Sequence, residues 1–326
     1  MKKSALGKTG IHISPLVFGA NVFGWTADKT RSFELLDRFT QAGFETLDTA
    51  DMYSTWAPGN SGGESETIIG EWLKARGNRD RIVLITKVGL EMGPGQKGLS
   101  AAWIERAVED SLRRLQTDYI DLYFSHIFDE SVPVEETLAA YARLLKAGKI
   151  RSIGASNHSA EQLAQALKTA KANGLPRYEV LQPQYNLYDR DSYEGALRDL
   201  AIAEGLGVIT YYSLASGFLS GKYRSASDLH KSARGGGVKS YLNERGMQIL
   251  AALDDVAANH AAAPGEVALA WLMAREGVTA PIASATSLDQ LNSLIRSAQL
   301  ALSDEDMTRL NEASAIWQDS GPGRKM

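Results

Sequence analysis

The sequence contains no cysteine in its 326 residues. Disulfide bonds, thiolate nucleophiles and cysteine-ligated metals are therefore excluded, and the composition fits a protein of the reducing cytoplasm. Histidine is also scarce, and the five histidines lack the spacing of metal ligands, so we expect no metal site. They are His12, His126, His158, His230 and His260.

Long apolar runs and a net positive charge are lacking as well. No segment approaches the roughly 18 apolar residues of a membrane span, and no apolar stretch follows the basic start of the chain. We therefore expect neither a membrane-spanning helix nor a signal peptide. The net charge of −4 offers no basic field for nucleic acid or an anionic membrane. We expect a small-molecule partner and a cytoplasmic location, and the oligomeric state stays open.

Eight short apolar segments recur along the chain. They are rich in Val, Ile, Leu and Tyr without clean alternation, which is typical of strands buried on both faces. The predicted strands are Leu16–Ala20, Thr46–Ala50, Ile82–Val88, Ile120–His126, Ile150–Ser156, Val180–Tyr185, Gly207–Leu214 and Ala280–Ala285.

Segments with helical spacing separate these strands. They are Ser32–Gln41, Glu66–Arg76, Ala101–Leu115, Glu135–Ala147, Ala160–Ala172, Glu194–Ala203, Glu244–Asn259 and Gly265–Ala274. Repeated strand–helix units predict parallel strands, and about eight units favour a closed (β/α)₈ TIM barrel. An open doubly wound sheet is the alternative, and it is disfavoured because no Gly-x-Gly-x-x-Gly follows the first strand. We predict one barrel domain over residues 1–326.

Two segments add to the predicted barrel. A small hairpin of Leu6–Gly10 and Ile11–Ser14 precedes the first strand and would cap the bottom of the barrel. A long loop, residues 215–241, follows the seventh strand, and its glycines and net positive charge suit an anion near the barrel top. The alternative for this loop is a solvated, mobile segment.

Ionisable side chains follow consecutive predicted strands, at the barrel end where reactive groups lie. Asp48 and Tyr53 follow the second strand, Lys87 the third and His126 the fourth. An ammonium near a phenol lowers its pKa, so Lys87 would tune Tyr53 as a proton donor while Asp48 keeps Lys87 charged. His126 would orient a carbonyl. None of these groups is a reductant, so a nicotinamide must supply the hydride.

Several motifs resemble one known family. The segment Gly43–Tyr53 carries Asp-x-Ala-x-x-Tyr, which resembles the signature of aldo-keto reductases. The other matching segments are Ile85–Lys87, Leu122–His126, Gly148–Asn157, Gln182–Asn186 and Ser213–Tyr223. The resemblance covers essentially the whole chain, and Gly221-Lys222-Tyr223 with its long following loop is similar to the bacterial branch related to potassium-channel β subunits.

The resemblance implies carbonyl reduction with NADP(H), catalysed by Asp48, Tyr53, Lys87 and His126. It implies that Ser156, Asn157 and Gln182 bind the carboxamide of the cofactor and that Tyr211 stacks on the nicotinamide. The remaining implied cofactor contacts are Asp48 itself, Gly19, Ala20 and Asn21 in the first loop, Leu214, Ser216, Gly217 and Lys222 at the pyrophosphate, and Ser284, Thr286 and Gln290 at the 2′-phosphate.

The adenosine end departs from the family pattern. The family commonly places Lys or Arg at the 2′-phosphate, whereas Ser284, Thr286 and Gln290 are uncharged. Leu294 stands where many members carry an adenine-binding Asn. Hydroxyl groups and a helix N-terminus can bind phosphate, with Arg296 nearby. NADP(H) is therefore the expected cofactor, with NAD(H) as the alternative.

Substrate and function leave alternatives open. Trp25, Trp56 and Phe128 near the predicted mouth favour an apolar or aromatic aldehyde, while the basic loop would favour a phosphorylated small aldehyde. A Schiff-base aldolase using Lys87 is a competing function, disfavoured because Asp48 would keep Lys87 protonated. The other competing function is that of a non-catalytic subunit that senses nicotinamide nucleotides.

Overall fold

The computed structural model describes residues 2–315 and has a closed barrel of eight parallel strands. A two-stranded antiparallel hairpin, β1 (Ser4–Ala5) and β2 (His12–Ile13), precedes it. The barrel strands are β3 (Val17–Gly19), β4 (Thr46–Asp48), β5 (Val83–Val88), β6 (Ile120–Ser125), β7 (Ile150–Ser156), β8 (Val180–Gln182), β9 (Gly207–Thr210) and β10 (Ala280–Ala283). Each pairs with the next along the chain, and β10 closes on β3, which confirms the predicted (β/α)₈ barrel.

Helices surround the barrel. They are α1 (Lys29–Gln41), α2 (Glu64–Arg76), α3 (Ala101–Leu115), α4 (Val134–Lys146), α5 (Ala160–Asn173), α6 (Ala196–Glu204), α7 (Glu244–Asn259), α8 (Pro264–Met273), α9 (Leu288–Ser297) and α10 (Asp304–Ala313). Ser100 and Ser303 cap α3 and α10 through their side chains, because each accepts a backbone N–H in the first turn. The helix predicted from Glu194 begins only at Ala196, after Gly195 at φ 91°. In residues 2–315 no helix is long and apolar enough to cross a lipid bilayer.

The strands bury both faces because alternate side chains enter two different apolar layers. On β6, Leu122 and Phe124 point into the barrel interior, while Tyr123 between them packs toward the helices. This arrangement explains why the strand segments read as continuous apolar runs. It also leaves the strand ends as the place where polar side chains meet.

The N-terminal hairpin closes the end of the barrel opposite to those polar groups. Leu6 and Ile13 are fully buried in the interior layer. Gly7 has φ +57°, and a Cβ there would lie 2.5 Å from both the Glu179 carbonyl oxygen and the Gly207 nitrogen, just before β8 and at the start of β9. The predicted cap is confirmed, and its second strand lies within the predicted range. Its first strand lies before Leu6 instead, because the Thr9 amide and hydroxyl bond the Leu6 carbonyl and close a turn there.

Several predicted strands extend too far toward the C-terminus. The run predicted to Tyr185 ends at Gln182, because Pro183 has no N–H for the ladder. The run predicted to Leu214 ends at Thr210, and Tyr212 turns to φ 53°. The following segment, residues 215–241, folds into three short 3₁₀ helices: Ala215–Ser220, Ala226–Lys231 and Gly235–Tyr241.

Candidate active site

A cavity of about 870 Å³ opens at the C-terminal ends of the barrel strands. This volume is that of a site for a large organic ligand. It brings together most of the residues predicted from the sequence. Those that line it are Gly19, Asn21, Asp48, Tyr53, His126, Ser156, Asn157, Gln182, Tyr211, Leu214, Ser216, Gly217, Lys222, Ser284, Thr286 and Gln290.

Lys87 lies behind the cavity wall and is fully buried. Its Nζ donates to Asp48 Oδ2 at 2.7 Å, to the Thr49 carbonyl at 2.7 Å and to Tyr53 Oη at 3.0 Å. An ammonium has three N–H groups, so these contacts use all of them. Tyr53 Oη therefore accepts a hydrogen bond from the protein, and only a long 3.4 Å contact to Asp48 competes for its own hydrogen.

Asp48 joins the catalytic residues to the next polar group on the barrel rim. Its Oδ1 accepts from Gln182 Nε2 at 2.9 Å, while Oδ2 accepts from Lys87. The amide oxygen of Gln182 is left to face a ligand. Each carboxylate oxygen thus has a donor, as a buried charge requires.

The electrostatics of Tyr53 reverse one expectation from the sequence. Burial and the negative charge of Asp48 raise the pKa of Tyr53 well above its usual range, whereas Lys87 was predicted to lower it. Burial lowers the pKa of Lys87 against the pull of Asp48. Burial, with the charge of Lys87, holds the pKa of His126 well below its usual range. At neutral pH the phenol is thus protonated and the imidazole neutral.

Asn157 and Tyr211 are hydrogen-bonded to each other at the rim of the cavity. Asn157 Nδ2 donates to the His126 carbonyl at 2.8 Å, and Tyr211 Oη donates to Asn157 Oδ1 at 2.6 Å. Asn157 itself has φ 54°, a left-handed conformation that asparagine tolerates better than most residues. The pair holds the Tyr211 side chain beside Asn157, and both residues line the cavity together with Ser156 and Gln182.

The segment after β9 places a lysine along the cavity. Ala215, Ser216 and Gly217 have φ values of 47°, 58° and 95°, a left-handed run in which the Ala215 and Gly217 amides donate to the Tyr212 and Leu214 carbonyls. The Lys222 Nζ would lie 3.6 Å from a Cβ at Gly217. Ser216, Gly217 and Lys222 all line the cavity, so this corner presents an ammonium to an anionic ligand.

The far end of the cavity is neutral. Ser284 Oγ donates to Asn21 Oδ1 at 2.6 Å, and Gln290 Oε1 accepts from the Thr286 amide at 2.9 Å and its hydroxyl at 3.1 Å. Gly19 allows these strand ends to approach, since a Cβ there would lie 2.7 Å from Ser284 Oγ. Hydroxyls and the N-terminus of α9 therefore form the surface that the sequence assigns to a 2′-phosphate.

Some predicted residues lie elsewhere. Ala20 does not line the cavity, because its carbonyl accepts from Ser65 Oγ at 2.8 Å and the residue is buried. Phe128 packs edge-on against the His158 ring at 5.4 Å instead of lining the cavity. Trp56 does line it, and Trp25 packs edge-on against Trp56 at 5.9 Å.

Sequence reasoning missed part of the cavity wall. Arg234 lines it, lies 5.7 Å over the Trp25 ring and has an Nη2 atom that is buried without a hydrogen-bond partner in residues 2–315. The net positive charge of residues 215–241 indicated an anion site, but nothing in the sequence distinguished Arg234 from the other basic residues of this segment. Ser293 and Gly265 also line the cavity and lie in no motif, and Met52, which lines it too, occupies an open position of the motif Gly43–Tyr53.

Comparison with known proteins agrees with this geometry. Residues 15–315 match the profile described as the Aldo/keto reductase family. The uncharacterized oxidoreductase YrpG of Bacillus subtilis is 33% identical, covering 96% of this chain and 95% of its own. Norsolorinic acid reductase stcV of Emericella nidulans is 33% identical over 93% of this chain and 79% of its own. Aryl-alcohol dehydrogenase [NADP(+)] of Phanerodontia chrysosporium is 31% identical, with 93% and 83% covered. The chain is an oxidoreductase of the aldo/keto reductase family.

Proposed function

We propose that this protein reduces aldehydes or ketones to alcohols, with Tyr53 donating the proton to the carbonyl oxygen. The observation that carries the proposal is the contact of Lys87 Nζ with Tyr53 Oη at 3.0 Å. Because the phenol oxygen accepts from Lys87, its own hydrogen is available to the cavity. A bound nicotinamide dinucleotide supplies the hydride that the carbonyl carbon receives.

The raised pKa of Tyr53 suits an acid. The phenol keeps its proton throughout the neutral range, so the donor is always present. As the carbonyl gains hydride, its oxygen becomes an alkoxide that is more basic than phenolate, and the proton moves to it. The phenolate left behind is stabilised by the Lys87 ammonium. Neutral His126, whose ring lies 6.1 Å from the Tyr53 ring, orients the carbonyl by a hydrogen bond.

The cofactor is proposed to lie along the cavity. Its carboxamide would bind Ser156, Asn157 and Gln182, with the nicotinamide against Tyr211. The remaining proposed contacts are Gly19, Asn21, Asp48, Leu214, Ser216, Gly217, Lys222, Ser284, Thr286 and Gln290. NADP(H) is the proposed donor, supported by the NADP(+) in the name of the Phanerodontia relative. Ala20 does not line the cavity, so its side chain is not among the proposed cofactor contacts.

The proposed substrate is an aromatic carbonyl compound. Trp56 and Tyr212 line the cavity and are 43% and 52% exposed, so each presents an aromatic face to an incoming molecule. The names of the norsolorinic acid reductase and the aryl-alcohol dehydrogenase point to aromatic compounds. A phosphorylated small aldehyde would need a cation near Tyr53, for which Arg234 is the available group.

Isotope transfer tests the proposal. The protein is incubated with aromatic aldehydes and NADPH deuterated at the hydride position, and the alcohols are examined by mass spectrometry. Deuterium on the carbinol carbon is the expected result. Absence of alcohol across aromatic and phosphorylated aldehydes, with NADPH still bound, would favour a sensing subunit. Borohydride trapping of Lys87 would favour the aldolase.

A further inference from the structure

The pair of Glu266 on α8 and Arg296 on α9 lies at the adenosine end of the cavity. Arg296 donates to Glu266 Oε1 through Nε at 3.0 Å and Nη2 at 2.6 Å. Ser293 Oγ, which belongs to a residue that lines the cavity, donates to the same oxygen at 2.7 Å. The Glu266 carboxylate is buried, and Arg296 is half exposed. The Arg296 guanidinium and the Ser293 hydroxyl at the cavity wall therefore bond the same carboxylate oxygen of Glu266.

Charge at the two ends of the cavity is unequal. Among the described residues, the cations that line it are Lys222, Lys231 and Arg234, all from the segment 215–241. The adenosine end offers Ser284, Thr286 and Gln290, which are neutral. Arg296 supplies the guanidinium of α9, and its hydrogen bonds to Glu266 turn this group toward α8.

We infer that Glu266 sets the cofactor preference by holding Arg296 away from the 2′-phosphate. A dianionic phosphate then meets only neutral donors and the helix N-terminus, and the nearby carboxylate opposes it. A ribose 2′-hydroxyl, as in NADH, meets donors and acceptors without that opposition. The protein accepts both cofactors, and NADPH has only a small advantage over NADH. This inference rests on the proposed function.

The arrangement of α8 allows a variant that removes the charge of Glu266 and keeps the helix cap. Glu266 also accepts weakly from the Ala263 amide at 3.3 Å, closing the first turn of the helix. Glutamine is equally suited to this capping position, so Glu266→Gln removes the charge while keeping size and cap. Arg296 lies in the last turn of α9, close to Ser293, which lines the cavity. Released from the ion pair, its side chain is free to extend past Ser293 toward a phosphate in the cavity.

Binding titrations with NADPH and NADH test the inference, with tryptophan fluorescence as the readout. In the unaltered protein we expect the two Kd values to lie within about tenfold. Glu266→Gln should tighten NADPH relative to NADH by about tenfold, the scale of a charge-assisted hydrogen bond. The double variant Glu266→Gln/Arg296→Ala removes both charges and should restore the original ratio.

Three outcomes would overturn the inference. One is an NADPH preference of more than about 100-fold in the unaltered protein, a measurement that needs no variant. Another is an unchanged ratio in Glu266→Gln, with NADH binding as the check that the variant is folded. The third is a double variant that loses NADPH selectively, which would mean that Arg296 already contacts the phosphate. Failure of both cofactors to bind would instead contradict the proposed function.

Discussion

The two ends of one cavity are built in opposite ways. At the catalytic end, Lys87 and Asp48 are buried charges whose every polar atom has a partner, and these bonds fix Tyr53. At the adenosine end, the wall is hydroxyls and amides, and the charges of Glu266 and Arg296 bond each other. The catalytic ion pair thus contacts Tyr53, which lines the cavity, whereas the ion pair at the adenosine end contacts only Ser293 of the cavity wall. The difference predicts large effects of substitution at one end and small ones at the other.

The largest effect is expected for Lys87→Met. Without the ammonium the Tyr53 phenolate loses its support, and the reduction rate should fall by about 10³. The buried Asp48 also loses its charge partner, which should lower the free energy of unfolding by about 3 kcal/mol. Single-turnover kinetics and denaturant titration measure the two effects.

A matched double variant separates activity from stability at this position. Asp48→Asn/Lys87→Met removes both charges, so stability should recover while activity does not. Recovered activity in the double variant would mean that Lys87 acts only by balancing Asp48.

A smaller effect is expected at the rim. Tyr211→Ala removes the ring proposed to lie against the nicotinamide and should weaken cofactor binding by about tenfold, as loss of one aromatic contact does. Tyr211→Phe keeps the ring and removes only the 2.6 Å bond to Asn157, so its Kd should change less. Equal losses in both variants would assign the effect to the hydrogen bond. Fluorescence titration gives both values.

At the adenosine end, Gln290→Arg should place a positive charge in the neutral wall of the cavity. The new guanidinium would favour NADPH over NADH by about tenfold through one charge-assisted contact. Rates of aldehyde reduction at saturating cofactor should stay the same, because the catalytic end is untouched. A reduced rate at saturation would break the proposed independence of the two ends.

The smallest effect is expected for pH. The pKa of Tyr53 is raised and that of His126 lowered, so neither group changes charge in the neutral range. From about pH 6 to about pH 9 the rate of reduction at saturation should vary by less than about twofold. Loss of rate as the pH falls toward 6 would require His126 to take up a proton there. Loss as it rises past 8 would require Tyr53 to ionise early or Lys87, whose pKa burial lowers, to lose its proton.

The same contrast separates what the sequence predicts from what it does not. The barrel followed from its strand and helix rhythm, and Asp48, Tyr53, Lys87 and His126 followed from motifs because each lies at or just after a strand end. The direction of the pKa shift of Tyr53 was wrong, since the degree of burial is a property of packing. The pairing of Glu266 with Arg296 joins residues 30 positions apart on two helices, and no local spacing shows it. The single domain over residues 1–326 and the cytoplasmic location stay predictions.

Tyr53→Phe is the most direct test that Tyr53 is the proton donor. The variant keeps the ring and removes the hydroxyl that Lys87 contacts at 3.0 Å. Single-turnover reduction of an aromatic aldehyde should slow by at least about 10³, while the NADPH Kd stays within about twofold. A rate within about tenfold of the unaltered protein, with NADPH bound equally well, would contradict the account.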